Sequence, residues 1–321
     1  LVGKTAIGDI DITTDGKTLY AMSLADKTVY EIDVATASVT NTYPSEGPGC
    51  EGGEWRPFAL NVHEGKVFVG GVCDASISGS RDDLQATVYA LSGNAFAEVL
   101  SFPLNYRKGR IHSTAAPTIG NWQPWVNAFS EFTVGFNTLN QAGRPVITHA
   151  QPVLSDIEFD TDGSLILAFM DRSGHQAGSN NLSPGGAANV LWTVITGGDV
   201  LRAAATGDGS FSIESNGASG GTTTAGANNN QGPDGGEFYY GDQFFDTGSN
   251  AFVHQETSQG GLALLPGTGE VLLSVYDPIN GGSTLFGSAG TIKLSNTTGN
   301  KDNAAGKIVY TTSDTGTFGK G

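Results

Sequence analysis

The chain has 321 residues, of which 38% are hydrophobic, so it can bury a sizeable core. Its 32 acidic and 16 basic residues give a net charge of −16, which would repel a phosphate backbone and argues against nucleic acid as a partner. No apolar run approaches the roughly 20 residues that cross a bilayer, so we expect no membrane insertion. The 47 glycines favour short strands joined by many turns.

One pattern occurs four times along the chain: a short apolar strand, a turn that ends in Gly, and a second apolar strand. The copies are IGDIDITTDGKTLYAMS (Ile7–Ser23), RPFALNVHEGKVFVGGV (Arg56–Val72), LSDIEFDTDGSLILAFM (Leu154–Met170) and GGLALLPGTGEVLLSVY (Gly260–Tyr276). They align on Ile10, Leu60, Ile157 and Leu262. Such self-similarity indicates a fold built from repeated hairpin units.

Each copy is followed by further strand-like segments. The predicted third strands are Lys27–Val34, Ala86–Gly93, Ala188–Ile195 and Ala289–Asn296, and the predicted fourth strands lie in SVTNTYP, FAEVLSFP, SFSIESN and GKIVYTTS. Four antiparallel strands repeated around a ring form the blades of a β-propeller, which leaves only short sheet edges exposed. We therefore predict an all-β fold: one β-propeller domain over 1–321, with five to seven four-stranded antiparallel blades and irregular insertions near 107–151 and 215–259.

Cys50 and Cys73 are the only cysteines, and their spacing does not suit a zinc site. A disulfide between them is favoured over two free thiols and would suit an oxidising compartment. The chain begins at Leu1 without an initiator Met or signal-like segment. We therefore expect a mature or excised fragment that is secreted or lies at a cell surface.

Acidic residues alternate with apolar ones on two of the predicted inner strands. Asp156 and Glu158 share one strand face, and Asp9 aligns with Asp156 in the first copy. A carboxylate between packed blades needs a partner, because isolated burial costs several kcal/mol. One interpretation is a calcium site at the channel mouth formed by Asp9, Asp156 and Glu158. The other is that backbone N–H groups and arginines bind these carboxylates, with Arg56, Arg110, Arg172 and Arg202 as the candidates.

The acids of the DTDG segment have a simpler interpretation. Asp160 and Asp162 precede Gly163, and Asp before Gly is typical of a tight hairpin turn. The full pattern of a calcium-binding loop is absent here. We therefore assign Asp160 and Asp162 to turn formation.

Polar residues also cluster where predicted strands end in loops. MDRSGHQ contributes Arg172 and His175, and FVHQETSQGG contributes His254 and Glu256. Loops at one end of a propeller converge around its channel, so these residues are candidate ligand-binding groups together with Glu237 and Asp242.

Aromatic residues form two further clusters, NWQPWVNAF and EFYYGDQFF. If they are exposed, Tyr239 and Tyr240 could stack on sugars and so add to the ligand-binding site. The alternative is that these rings, with Trp122 and Trp125, form a satellite core over the propeller.

Several segments occur in one order along the chain: WRPFAL, GGVCDAS, FPLNYRKG, LSDIEFDTDGS with MDRSGHQ, NNQGPDGGEFYYGD and GGLALLPGTGEV. In this order the segments resemble the propeller-like N-terminal region of very large secreted bacterial surface proteins. In that family the region is typically followed by repeated SdrD-type B domains of adhesins, and TFGKG at Thr317–Gly321 is similar to the junction. The resemblance implies a cell-surface module joined to further domains of the same polypeptide, and it implies no catalytic residue.

These observations favour a non-catalytic extracellular or cell-surface propeller that acts in adhesion, glycan binding or surface assembly, with calcium as the candidate ion. Its expected partners are a cell-surface glycan or protein. The chain has no GxSxG or HExxH motif to support an enzyme. The alternative is a metal-dependent propeller hydrolase or lactonase at the channel mouth, with His175 or His254 as acid or base. An oxidoreductase that uses pyrroloquinoline quinone is a weaker third hypothesis, because cofactor-specific motifs are missing.

Overall fold

The computed structural model describes residues 1–109, 111, 120–132, 138–139, 145–178, 180–183, 190–242, 244–246, 251–254, 256–264, 266–276, 288–301 and 308–313. Helix within these residues is limited to α1, Phe129–Phe132, and α2, Arg172–Ala177, apart from short 3₁₀ turns. No described helix is long and apolar enough to cross a membrane. The TFGKG segment and the side chain of His254 lie outside the described residues.

The strands, in chain order, are as follows. The first eight are β1 Ile7–Ile12, β2 Thr18–Ser23, β3 Thr28–Asp33, β4 Ser38–Pro44, β5 Trp55–His63, β6 Lys66–Cys73, β7 Gln85–Ser92 and β8 Ala95–Pro103. The next eight are β9 Thr138–Leu139, β10 Pro145–Ile147, β11 Pro152–Phe159, β12 Leu165–Asp171, β13 Asn181–Leu182, β14 Leu191–Val194, β15 Asp199–Ala205 and β16 Phe211–Ile213. The last eight are β17 Ala218–Ser219, β18 Thr222–Thr223, β19 Phe244–Asp246, β20 Ala251–His254, β21 Ser258–Leu264, β22 Glu270–Tyr276, β23 Ser288–Ser295 and β24 Ile308–Ser313.

Four sheets have the meander order of a propeller blade. We call them the first sheet (β1–β4), the second sheet (β5–β8), the third sheet (β11, β12, β15, β16) and the fourth sheet (β21–β24), and all their pairings are antiparallel. Their opening strands pack against one another in chain order, β1 on β5, β5 on β11 and β11 on β21. The predicted all-β propeller fold of four-stranded antiparallel blades is confirmed.

The fifth four-stranded sheet of the described residues departs from this pattern. Its strand order is β13-β14-β10-β9, and β10 pairs with β14 in parallel. It is built from the irregular region before β11 and from the segment between β12 and β15, so it is not a simple meander.

The prediction for the third unit is wrong in one strand. The predicted third strand, Ala188–Ile195, contains β14, which belongs to the fifth sheet, and the third sheet is instead continued by β15. The reason is local: Asp171 caps α2 by accepting the Ser173 N–H at 2.8 Å, which turns the chain away from the sheet after β12. The chain returns only at Asp199, opposite Phe169.

The hairpin turns form as predicted from their Asp and Gly residues. Between β11 and β12 the N–H of Gly163 donates to the carbonyl of Asp160, and the Asp162 carboxylate accepts the N–H of Ser164. Gly163 has a φ of 81°, which a side chain would disfavour. The turn assignment of Asp160 and Asp162 is therefore confirmed.

The core runs between the sheets. Its largest buried cluster joins the second and third sheets and includes Trp122 and Trp125 from the irregular region, as the satellite-core alternative expects. A disulfide between Cys50 and Cys73, with their Cα atoms 5.5 Å apart, ties the segment before β5 to the end of β6. The predicted disulfide is confirmed.

Candidate functional site

Two of the predicted metal ligands hold neighbouring inner strands together. Asp9 on β1 accepts the N–H of Leu60 on β5 at 2.9 Å, and Asp156 on β11 accepts the N–H of Leu262 on β21 at 2.7 Å. Leu60 and Leu262 are the positions on which the repeat aligns. The acidic position of the repeat therefore bonds the backbone of the next blade.

The interface between the second and third sheets uses an amide for the same purpose. Asn61 on β5 donates its side-chain N–H to the carbonyl of Ile157 on β11 at 2.9 Å. Ile157 is again the alignment position of the following unit. A polar side chain of one inner strand thus reaches the aligned backbone of the next at all three interfaces.

These half-buried carboxylates also act on one another. Burial, and then the charge of Asp9, raise the pKa of Asp156 to about 8. Burial, followed by the charges of Asp11 and Asp9, raises the pKa of Glu158 to about 7. Burial also raises the pKa of Asp9 to about 6, against the lowering effect of its backbone hydrogen bonds. A calcium ion at Asp9, Asp156 and Glu158 stays a prediction.

The arginines proposed as alternative partners are bound elsewhere or lie outside the described residues. Arg56 pairs with Asp74 at 2.7 Å, and Arg202 pairs with Asp160 at 2.7 Å. Arg110 lies outside the described residues. Backbone N–H groups are therefore the observed partners of the inner-strand acids.

A second group of acids lies in the interior, and we call it the buried carboxylate cluster. Its members are Asp199, Glu237, Asp242 and Glu256. Glu237 is 1% exposed and Glu256 is 0% exposed. Asp199, Glu237 and Glu256 each offer one oxygen, and these oxygens all lie within 4.8 Å of one another. Asp242 belongs to the cluster because its charge raises the pKa of both glutamates.

Different parts of the fold bring these acids together. Asp199 is the first residue of β15, Glu256 precedes β21, and Glu237 follows the 3₁₀ turn Pro233–Gly235. The segment after β8 closes the site, where the Tyr106 hydroxyl donates to Asp199 at 2.5 Å. The start of β15 in the third sheet thus meets the segments that precede β21 of the fourth sheet and the segment that follows β8.

Most oxygens of the cluster accept no hydrogen bond from the described residues. These oxygens are Glu237 Oε1, both carboxylate oxygens of Asp242 and both carboxylate oxygens of Glu256. The side-chain oxygen of Gln231, which is 6% exposed, has no partner either. Buried polar atoms are nearly always paired in folded proteins, so this group calls for an explanation.

Gly109 marks how closely the backbone approaches these oxygens. A Cβ atom on Gly109 would lie 1.9 Å from Glu256 Oε1 and 2.5 Å from Gln231 Oε1. Its φ of 122° also disfavours any side chain. Because Gly109 has no side chain, Glu256 Oε1 and Gln231 Oε1 can both lie close to its Cα atom.

Two lysines act on the cluster without neutralising it. Lys108 is buried, donates to the Gly198 carbonyl at 3.2 Å and lies 4.7 Å from the centre of the Trp122 ring. The charges of Lys301 and Lys108 both lower the pKa of Asp242. Burial and the repulsion between carboxylates nevertheless hold the pKa of Asp242 well above its ordinary value.

The predicted ligand-binding residues separate into two groups. Glu237 and Glu256 come together in the cluster. Arg172 is instead buried over Trp125 at 4.3 Å and donates to the Gln151 side chain at 2.6 Å. Tyr239 is buried as well, so its ring has no exposed face for a sugar in this structure.

Arg172 and Tyr239 thus serve packing. The hydroxyl of Tyr239 donates to Asn296 at 2.9 Å and accepts from Arg202 at 3.2 Å. His175 lies on α2, and burial lowers the pKa of its ring. Tyr240 is half-buried, and the side chain of His254 is outside the described residues.

Sequence reasoning missed one member of the cluster, Asp199, and several residues that lie beside the cluster. Asp199 follows a Gly-Gly pair and looks like an ordinary first residue of a strand. Tyr106, Lys108 and Gln231 belong to no recognisable motif. The only signal for Tyr106, Lys108 and Gln231 was their occurrence within FPLNYRKG and NNQGPDGG, two of the segments that carry the family resemblance, and Asp199 lies in neither.

No family model matches the chain. Three colossins of Dictyostelium discoideum are similar in sequence: Colossin-B is 29% identical over 247 residues, Colossin-C 28% over 338 residues and Colossin-A 26% over 292 residues. The matches cover 71%, 100% and 85% of this chain, but only 6%, 29% and 2% of those proteins. None of these relatives bears on the resemblance to bacterial surface proteins, which stays a prediction.

Solved structures with similar topology are distant. They include the periplasmic gluconolactonase PpgL of Pseudomonas aeruginosa, with 9% identity and a TM-score of 0.38 over 94% of this chain and 53% of that one. They also include the Dos1 propeller, with 8% identity and a TM-score of 0.36 over 93% of this chain and 46% of that one. TM-scores below 0.5 carry no argument about what this chain does.

Proposed function

We propose that the chain is a non-catalytic propeller module of an extracellular or cell-surface protein, and that it acts in surface assembly through contact with a second copy of the module. The burial of the carboxylate cluster supports the non-catalytic role. A general acid or base must reach the bonds of its substrate, whereas Glu237 and Glu256 are at most 1% exposed. The disulfide supports an oxidising compartment, because such bonds persist mainly in secreted and surface proteins.

An apolar strip on β1 supports a protein partner. Ile10 is 55% exposed and Ile12 is 44% exposed. Their side chains point away from β5, because the alternating residues Asp9 and Asp11 reach the β5 backbone. Neighbouring exposed apolar side chains favour contact with another apolar surface. Glycan recognition has less support, since Trp122 and Tyr239 are buried.

Bead clustering tests this proposal. Beads coated with the purified chain should cluster at an ionic strength of about 0.15 M, which screens charge repulsion beyond about 8 Å. The double variant Ile10→Ser/Ile12→Ser should lose the clustering. Ile77→Ser is the matched control, because Ile77 is also apolar and is 76% exposed, yet lies outside β1.

Two results would contradict the proposal. One is saturable binding on a glycan array that the β1 double variant retains, without any clustering of wild-type beads. The other is turnover of chromogenic esters, lactones or glycosides by the wild-type chain above the rate of a heat-denatured sample.

The hydrolase or lactonase alternative has one observation in its favour. Asp156 and Glu158, which hold the cation under this alternative, are half-buried, so a substrate can reach them, unlike the buried carboxylate cluster. Under this alternative, turnover should disappear in Asp156→Asn or Glu158→Gln and persist in Ile77→Ser.

A further inference from the structure

We propose that the buried carboxylate cluster binds one Ca²⁺ ion, with Asp199, Glu237 and Glu256 as anionic ligands and the Gln231 side-chain oxygen as a neutral ligand. This site differs from the predicted inner-strand site at Asp9, Asp156 and Glu158. It does not depend on the proposed role in surface assembly.

The charge balance of the cluster calls for a divalent cation. Its four carboxylates carry four negative charges when ionised, and the two lysines that act on it, Lys108 and Lys301, supply two positive charges. Two negative charges remain. An uncompensated charge in the interior strongly disfavours the folded state, and a bound divalent cation reduces the imbalance.

The donor atoms identify the class of ion. The unpartnered oxygens number six: one from Glu237, two from Asp242, two from Glu256 and one from Gln231. Calcium takes about six to eight oxygen ligands in a flexible geometry, whereas Mg²⁺ usually keeps several waters. The close group of Asp199, Glu237 and Glu256 contains no His or Cys, so zinc and copper are disfavoured.

Gln231 provides evidence that is independent of the acids. Its side-chain oxygen is neutral, buried and without a donor, and it points to the same place as Glu256 Oε1, next to Gly109. An amide oxygen is an acceptor at every pH, so it needs either a donor, such as a protonated carboxyl, or a cation. A cation satisfies both kinds of oxygen together.

Metal analysis and calorimetry on the intact chain test the site. Elemental analysis of protein purified without chelator should find one calcium per chain. Calorimetric titration of EDTA-treated protein with CaCl₂ should show one binding site. In a separate thermal unfolding experiment, CaCl₂ should raise the melting temperature of the EDTA-treated protein. Terbium, which can replace calcium, should show luminescence sensitised by Tyr106, whose hydroxyl donates to Asp199.

Variants locate the ion. Glu256→Gln should weaken calcium binding by more than about tenfold, because it removes an anionic ligand of nearly the same shape. Gln231→Met should also weaken binding while leaving the charge of the cluster unchanged, so it serves if Glu256→Gln does not fold. Asp156→Asn is the matched control at the competing carboxylates, and it should retain full calcium binding.

Several outcomes would overturn the inference. The first is the absence of bound calcium, of titration heat and of any change in melting temperature. The second is loss of calcium binding in Asp156→Asn while Glu256→Gln and Gln231→Met bind normally. The third is a melting temperature in EDTA that falls with rising pH but does not respond to CaCl₂, since protons alone would then neutralise the cluster.

Discussion

Asp156 shows how one carboxyl can be useful for architecture and costly for stability. Its oxygen binds the N–H of Leu262 and so joins β11 to β21, yet burial and the charge of Asp9 oppose its ionisation. Asn keeps an oxygen that can accept the same N–H but has no charge to bury. The substitution Asp156→Asn therefore separates the hydrogen bond from the charge.

We expect Asp156→Asn to flatten the pH dependence of stability. The folded-state pKa of about 8 lies above the ordinary value of 3.8, so the folded state binds more protons between these pH values. The wild-type free energy of unfolding should then fall as the pH rises from about 4 to about 8. At pH 8.5 the variant should be more stable by on the order of 2 kcal/mol, measured by urea denaturation.

A decrease in stability on Asp156→Asn substitution, instead of the expected increase, would point to a different role for Asp156. If Asp156→Asn were less stable than wild type at pH 8.5 in calcium-containing buffer, and equally stable in EDTA, Asp156 would be acting as a cation ligand. The predicted calcium site at Asp9, Asp156 and Glu158 would then gain support.

Arg202 on β15 links strands and turns of the third sheet. Its guanidinium contacts Asp160 at 2.7 Å and Asp162 at 2.8 Å in the β11–β12 turn, and it donates to the Tyr239 hydroxyl at 3.2 Å. It also lies 5.4 Å from the centre of the Phe238 ring. Arg202 and Asp160 are both buried, so neither charge has water to replace a lost partner.

We expect Arg202→Met to reduce the free energy of unfolding by about 3 to 5 kcal/mol, since it leaves the Asp160 charge buried and unpaired. The double variant Arg202→Met/Asp160→Asn should recover part of this loss. Lys293→Met is the control: Lys293 pairs with Glu270 at 3.2 Å between β22 and β23, but both are partly exposed, so its loss should be below about 1 kcal/mol. Chemical denaturation compares all four proteins, and equal losses for the two single variants would contradict the argument.

Local patterns in the sequence predicted the hairpins well. The alternation around Ile10 and Ile157 and the Gly-containing turns depend on neighbouring residues, so β1–β2 and β11–β12 could be read directly. The detour after β12 begins at the local Asp171 cap of α2, but its return to the sheet at Asp199 depends on packing that sequence does not reveal, such as the place that Gly174 leaves for Thr196.

The carboxylate cluster was predictable only in part. Glu237, Asp242 and Glu256 were recognised as polar residues in converging loops. Their partners could not be recognised, because Tyr106 and Asp199 meet across 93 residues of sequence, and Asp199 resembles an ordinary strand residue. Likewise, the sequence left open whether Tyr239 is exposed or buried, and its hydrogen bonds to Asn296 and Arg202 place it in the interior.

At the scale of the whole molecule, the hydrophobic clusters cross from one sheet to the next. Met22 and Val29 of the first sheet pack with Leu60 and Val69 of the second. The largest cluster joins the second and third sheets, and a further cluster joins the third and fourth. Each of the four meander sheets shares its core residues with a neighbouring sheet, so loss of one sheet exposes the apolar face of its neighbour.

We expect the chain to unfold as one cooperative unit because of these shared clusters. Differential scanning calorimetry should show one transition, with a van't Hoff enthalpy close to the calorimetric enthalpy. Removal of residues 1–44, which keeps the Cys50–Cys73 disulfide, should lower the melting temperature of everything that remains, since Leu60 and Val69 lose their partners on the first sheet. Two separate transitions in the intact chain, or a truncated chain that melts at the wild-type temperature, would show instead that the first sheet is an independent unit. Both measurements should be made with CaCl₂ and with EDTA, because an ion that joins β15 to the segment before β21 would stabilise the third and fourth sheets together.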